Sequence, residues 1–168
     1  MRTERIGFSN WQMEDLDLAH LLWQDKAVPR YICASGKFTD LQIKDRLQAE
    51  METQTTYGVQ YWPLFNLADG ELIGCCGLHP HAKNQYEIGF HLLTVYWHQG
   101  YAYEAAKAVI HYAFHTLHAK SLFAGHHPDN LASFQLLKRL KFQYTGDEFF
   151  APTGLDHPSY CLQNINDK

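Results

Sequence analysis

With 168 residues, 46% hydrophobic side chains and ten each of Phe and Tyr, the chain has the length and composition to bury one sizeable core, so it reads as a single folded domain and not as a disordered segment. A net charge of −4 with scattered cations weighs against a dedicated nucleic-acid binder, which concentrates its basic residues on one face, while leaving a basic substrate open. Met1-Arg2-Thr3-Glu4-Arg5 lacks the apolar core of a secretion signal and no uncharged run approaches membrane-spanning length, so a cytoplasmic protein without a membrane partner is expected.

Residues 5–9 read as a first strand and 13–23 as a helix with Leu18, Leu21 and Leu22 on one side. A turn-like link broken by Pro29 covers 25–32. Thr39 opens a second helix, and Gln42 completes a capping box in which each side chain satisfies the other residue's free N–H. Ile43 and Leu47 give that helix an apolar side. From Gly58 the period changes to two: 59–66 is strand-like, Ala68-Asp69-Gly70 is a hairpin turn, 72–78 returns as a strand, and 85–93 forms the next. Short turns cannot join parallel neighbours, so this run is an antiparallel meander. Cys75 and Cys76 point to opposite faces of their strand. Together with Cys33 and Cys161 they lack zinc-ribbon spacing and read as reduced core or surface residues.

The stretch 86–142 is the most informative. A strand ending at Leu93 leads into Trp97-His98-Gln99-Gly100-Tyr101-Ala102 and then a long amphipathic helix, 101–117. A helix start built from small residues presents unpaired N–H groups and the positive end of the helix dipole, which suits phosphate oxygens. Gly100 and Ala102 let a ligand approach the backbone, although a glycine before a helix also serves as a plain turn residue. A β-like run at 122–126 follows, then His127-Pro128-Asp129-Asn130 and a second helix, 130–140. Strands at 142–145 and 158–162 close the chain, separated by a loose, glycine- and proline-containing loop over 145–156.

The chain resembles the GNAT superfamily of acetyl-CoA-dependent N-acetyltransferases, and within it the branch typified by the ribosomal-protein N-terminal acetyltransferases. The resemblance rests on Gly70-Glu71-Leu72-Ile73-Gly74-Cys75-Cys76-Gly77-Leu78, Glu87-Ile88-Gly89-Phe90, Gly100-Tyr101-Ala102-Tyr103-Glu104-Ala105, His127-Pro128-Asp129-Asn130 with Ser133, and the opening Thr3-Glu4-Arg5-Ile6-Gly7-Phe8. It spans nearly the whole chain and rests on the order and spacing of these motifs. The implied fold is α+β in three α/β/α layers: a mixed, mostly antiparallel central sheet of about seven strands with a splayed parallel pair, flanked by about four helices, in one domain over 1–168. The implied reaction is acetyl transfer from acetyl-CoA to a primary amine by direct attack, with no metal and no covalent acyl-enzyme. The acceptor it points to is a protein or peptide N-terminal α-amine. Relatives of the same branch acetylate antibiotics, polyamines and other small amines, so a small-molecule acceptor stays open, as does a non-catalytic acyl-CoA-binding regulatory module. Relatives occur as monomers and homodimers.

The resemblance also assigns residues. Backbone N–H groups around Gln99, Gly100, Tyr101 and Ala102 hold the pyrophosphate, and His98 either contacts a phosphate when protonated or faces water. Two strands part around the pantetheine arm, with Gly89 read as a bulge that opens the gap or as close packing against an aromatic ring. Glu87 stands where many relatives place the carboxylate that takes the amine's proton, its alternative being a solvated strand residue. Leu137 replaces the tyrosine many relatives use at the leaving thiolate, so Ser133 becomes the expected donor, and Asn130 either caps its helix or bonds the pantetheine. Lys141 replaces the usual glycine before Phe142. His126 is a second candidate for proton handling, and His127 is structural. His111, His115 and His118 share a helix face, but Tyr112 stands where a metalloprotease motif needs a glutamate, so they read as solvated. The two N-terminal helices and 145–156 are expected to border the acceptor cleft, with Trp23, Tyr31, Tyr57, Phe149 and Phe150 either lining it or packed in the core.

Overall fold

One sheet of seven strands runs in the order β1 (Ile6–Phe8), β2 (Tyr61–Asn66), β3 (Leu72–Ala82), β4 (Gln85–Leu92), β5 (Ser121–Gly125), β7 (Leu155–Gln163), β6 (Gln143–Phe150) in the computed structural model, which describes residues 1–165. The last three residues of the expected 1–168 span lie outside the described residues. Neighbouring strands are antiparallel except β4 and β5, which are joined through α3 (Tyr101–His115), a connection long enough to return the chain to the same end of the sheet.

α1 (Leu16–Trp23) and α2 (Asp40–Tyr57) cover one face of the sheet, and α3 and α4 (Leu131–Arg139) the other. Leu22, Trp23, Ile43 and Leu47 pack with Leu72 and Cys75 on the first face, and Ala105, Val109, Ala113 and Leu137 with Ile73 and Cys76 on the second. Burial on both faces is why 72–78 reads as an unbroken apolar run. Cys75 and Cys76 enter different cores as a period of two requires, while a register slip between Leu64 and Phe65, opposite Gly74, resets the alternation so that Leu72 and Cys75, three apart, share the first core. The expected capping box is present at the start of α2: Gln42 N–H donates to Thr39 Oγ1 at 3.2 Å, and Thr39 N–H to Gln42 Oε1 at 2.9 Å.

The loose loop expected over 145–156 is instead mostly a hairpin. β6 and β7 pair from Gln143↔Cys161 to Phe150↔Leu155, leaving a tight turn in which the N–H groups of Thr153 and Gly154 donate to Phe150 O. β6 is an edge strand whose side chains are exposed or half-buried, and a slip between Tyr144 and Gly146 breaks its alternation, so no apolar period marks it. Lys141 adopts φ +69°, the left-handed conformation for which glycine is the relaxed residue.

Candidate active site

β4 and β5 pair only at Gln85↔Ser121, Tyr86↔Leu122 and Glu87↔Phe123. Beyond Glu87, residues 88–92 pair with no strand but β3, and Ala124 and Gly125 with none but β7. The two strands therefore part in a V with backbone donors and acceptors facing the gap, as a third strand would need them. A cleft of about 930 Å³ follows the V, and Glu87, His98, Gly100, Tyr101, Ala102, Asn130 and Ser133 all line it.

The bulge expected at Gly89 is absent. The β3–β4 register runs unbroken through Gly77↔Gly89 and shifts only between Pro80 and Ala82. The glycine is required for the other reason foreseen: a Cβ at Gly89 would collide with the Tyr61 ring. That ring stacks on His79 with centroids 3.9 Å apart and planes 2° from parallel. Gly89→Ala is accordingly expected to displace Tyr61 and with it His79, and to lower stability by about 1–3 kcal/mol, measurable by denaturant titration.

At the start of α3, Gly100 takes φ +84° and His98 φ +60°. The N–H groups of Gly100, Tyr101 and Ala102 find no acceptor among the described residues, as the first turn of a helix dictates. Arg5 braces the turn from outside: its Nη1 donates to Gln99 O at 3.1 Å, its Nη2 lies 2.7 Å from Glu104 Oε2, and its guanidinium covers the Tyr101 ring at 4.1 Å. Burial by itself pushes the Glu104 carboxyl up. The Thr3 hydroxyl, the Arg5 backbone and side-chain N–H groups and the Arg5 charge outweigh it, leaving Glu104 below its ordinary value. Gln99 is the exception among the expected cofactor residues, because its side chain turns back to donate to Val95 O at 2.6 Å and does not line the cleft. His98 is exposed at the rim.

Ser133, one turn into α4, is half-buried; its N–H donates to Asn130 Oδ1 at 3.1 Å, and its hydroxyl makes no hydrogen bond among the described residues. Asn130 thus caps the helix while also lining the cleft. Leu137, a turn beyond Ser133, is fully buried between α4 and the sheet and stays out of the cleft. His126 is buried with both ring nitrogens engaged: Nδ1 lies 2.8 Å from His127 O and Nε2 lies 3.3 Å from the Tyr160 hydroxyl. Burial holds it below its ordinary value, and both ring nitrogens already have protein partners. His127 accepts from Asp129 N–H at 3.1 Å, the structural turn role expected of it.

Glu87 sits at the closed end of the V, opposite His79 on β3 and Phe123 on β5. Burial pushes its carboxyl above its ordinary value of 4.5, the charges of His79 and His81 pull it back, and Glu148 pushes it up again. His79 and its partner Glu50 are the part of the site that the sequence reading missed. Glu50, buried on α2, accepts Tyr61 N–H at 2.8 Å and lies 2.9 Å from His79 Nε2. Counting back from the 83–84 turn puts Pro80 opposite Glu87; the register shift between Pro80 and Ala82 brings His79 there instead, so no local signal pointed to it. Arg46 was missed as well. Its guanidinium lines the cleft 5.3 Å from the Trp23 ring and 5.0 Å from Phe38, and its buried Nε has no hydrogen-bond partner, an omission that costs about 1–3 kcal/mol or more for a charged group.

Of the aromatics expected at the acceptor cleft, Tyr31, Phe149 and Phe150 line it. Trp23 is instead fully buried beneath His91, and Tyr57 stands exposed at the end of α2, away from the cleft. No cysteine lines the cleft, and burial drives the thiols of Cys75 and Cys76 well above their ordinary value. The His111 and His115 rings stack 4.0 Å apart, and no group of three or more His, Cys, Asp or Glu is placed to hold a metal among the described residues.

Residues 5–143 match the family profile described as Acetyltransferase (GNAT) domain. The chain belongs to the GNAT acetyltransferase family. It is 30% identical over 147 residues to the uncharacterized N-acetyltransferase p20 of Bacillus licheniformis, covering 86% of this chain and 82% of that one. Its fold superposes with a TM-score of 0.83 on a GNAT-family acetyltransferase from Bacillus anthracis, at 23% identity over 98% of both chains. It also superposes, with a TM-score of 0.80 and 16% identity over 99% of this chain and 97% of the other, on RimL, a ribosomal L7/L12 α-N-protein acetyltransferase solved with coenzyme A. GNAT enzymes are acyltransferases that use acetyl-CoA, and the V, the open helix start and the 930 Å³ cleft between them fit such a group. Among the described residues no helix is long and apolar enough to cross a membrane.

Proposed function

We propose that this GNAT enzyme acetylates a primary α-amine by direct attack, with Glu87 as the base. The observation that carries the reading is the parting of β4 from β5 immediately after Glu87, which sets one half-buried carboxylate at the apex of a cleft bounded by the α3 start and Ser133. Acetyl-CoA supplies the thioester carbon that the amine attacks. The N–H groups of Gly100, Tyr101 and Ala102 hold its diphosphate, with Gln99 contributing at most its backbone. The backbone edges of 88–92 and 124–125 hold the pantetheine amides, and Asn130 orients them while capping α4. Glu87 takes the amine's proton directly or through water, and the Ser133 hydroxyl donates to the departing sulfur.

The acceptor we favour is a protein or peptide N-terminal α-amine, the substrate type named for RimL. About a tenth of such amines are neutral at pH 7, against about one lysine in a few thousand, so a single carboxylate suffices. One observation favours a small amine as a second reading. The acceptor side is bridged where Ala34 N–H donates to Pro152 O at 2.8 Å and Tyr31 meets the His127 ring at 5.5 Å, which narrows the entrance. The test is coenzyme A release against a panel of peptides and small amines, alongside calorimetry of coenzyme A binding. Turnover with α-amine peptides is the expected result. Tight binding without turnover across the panel would identify an acyl-CoA-binding module instead, and no binding by folded protein would remove the reading altogether.

A further inference from the structure

Glu87, Gly89 and His91 alternate onto the face of β4 that α1 and α2 cover, and His91 stands four residues beyond Glu87, about 13 Å along the strand. Tyr61 lies between them, over Gly89, stacked on His79 and edge-on to His91 at 5.8 Å. The His91 end of this row packs against Trp23. Trp23 Nε1–H donates to His91 Nδ1 at 3.3 Å, and burial, with the charges of Arg46 and His79, drives His91 down to about 3. Over this end sits Arg46, the cleft's cation nearest Trp23.

Arg46 has no counter-ion among the described residues, although its helix offers one. Glu50, four residues on, is committed to His79 and to Tyr61 N–H, and Gln42, four residues back, is committed to the Thr39 cap. Its Nε is the only buried side-chain nitrogen or oxygen left without a partner among the described residues. With its guanidinium 5.3 Å from the Trp23 ring and 5.0 Å from the Phe38 ring, and with none of its donors in a hydrogen bond or ion pair among the described residues, Arg46 lines the cleft with a group whose fork matches a planar anion through two parallel hydrogen bonds.

We infer that Arg46 is an acceptor-recognition residue, and that the amine this enzyme acetylates carries a carboxylate several bonds from its nitrogen. This rests on the proposed use of the cleft for acetyl transfer. The carboxylate has two sources: the side chain of an acidic N-terminal residue, or the terminal carboxylate of a small peptide-like amine. The amine lies at Glu87 and the carboxylate lies against Arg46, with the Tyr61 ring beneath the atoms between.

Matched acceptors differing only in that group decide the matter. Peptide amides beginning with Glu are compared with those beginning with Gln, and glycylglycine with glycylglycinamide, in coenzyme A release by the wild type, Arg46→Met and Arg46→Lys. The expected result is a preference of about 10- to 100-fold in kcat/KM for the acid in at least one pair, carried mainly in KM, abolished in Arg46→Met and partly kept in Arg46→Lys. The responding pair identifies the source. Coenzyme A affinity by calorimetry should be unchanged in both variants, because Arg46 lies away from the α3 start, and this separates recognition from loss of fold. Equal rates on acid and amide, or a preference that survives Arg46→Met, overturns the inference. Should no amine turn over although coenzyme A binds, calorimetric binding of the same acids to the coenzyme A complex replaces the rate. Acid binding lost in Arg46→Met then sustains Arg46 while the catalytic reading falls, and no difference from the amides ends both.

Discussion

Replacing Glu87 by Gln is expected to lower kcat by about 10²- to 10⁴-fold for lysine-like amines and markedly less for α-amines. The isosteric amide keeps the shape of the apex where β4 leaves β5 and removes only the ability to take a proton. A lysine-type amine depends on that removal far more than an α-amine, since its neutral fraction at pH 7 is smaller by more than two orders of magnitude. The pH profile supplies the second signature. Burial raises the Glu87 carboxyl, so the wild-type rate should climb with pH through a value above 4.5, and that limb should stay in place when acceptors of different basicity are exchanged. In Glu87→Gln the limb should vanish. Stability moves the opposite way from a damaged fold. A carboxyl raised on folding makes the native state the better proton binder, so it costs stability as pH rises past its unfolded value, and Glu87→Gln should leave neutral-pH stability equal or higher. Equal loss for both acceptor classes, or an unchanged profile, would remove Glu87 as the base.

Gly100→Val is expected to weaken coenzyme A binding by about 10- to 100-fold, equivalent to about 1.5–3 kcal/mol of charge-assisted hydrogen bonding. At φ +84° a β-branched residue is strained by about 1–3 kcal/mol, so the turn either rotates its N–H groups away or keeps them beneath a side chain. Space is not the obstacle, because within 4 Å a Cβ there would meet only Arg5 Nη2, at 3.5 Å. Gly58 provides the control. It caps α2 at φ +71° with nothing within 4 Å and lies outside the cleft, so Gly58→Val carries a similar backbone penalty without touching the helix start. Calorimetry should find coenzyme A affinity lost in the first variant and kept in the second. Unchanged affinity at Gly100, or equal loss at both positions, would take the α3 turn out of cofactor binding.

The hairpin at Ala68-Asp69-Gly70, the Thr39 capping box and the Gly100 helix start were legible because each is a local arrangement of a few neighbouring residues. Glu87 and Ser133 were legible only through their place in a family pattern, since neither carries a local signal of its own. Gly89 was read two ways, and the choice needed Tyr61, 28 positions earlier, which the β2–β3 and β3–β4 registers bring over it. β6 was read only at its start, 142–145, and its continuation to Phe150 was taken for loop, because an edge strand whose side chains are exposed or half-buried has no reason to alternate.

What the residues alone determined was the order of strands and helices, their caps and turns, and the presence of a helix start suited to phosphate, because propensity, period and free N–H groups are set within one or two turns of chain. The tertiary structure alone decided where β4 leaves β5, which histidine meets Glu87, and that Arg46 reaches the cleft while Glu50, its natural partner on the helix, is held by His79. Those relations join residues tens of positions apart, and only the packing of two helices onto one face of a twisted sheet determines which of their side chains remain unpaired.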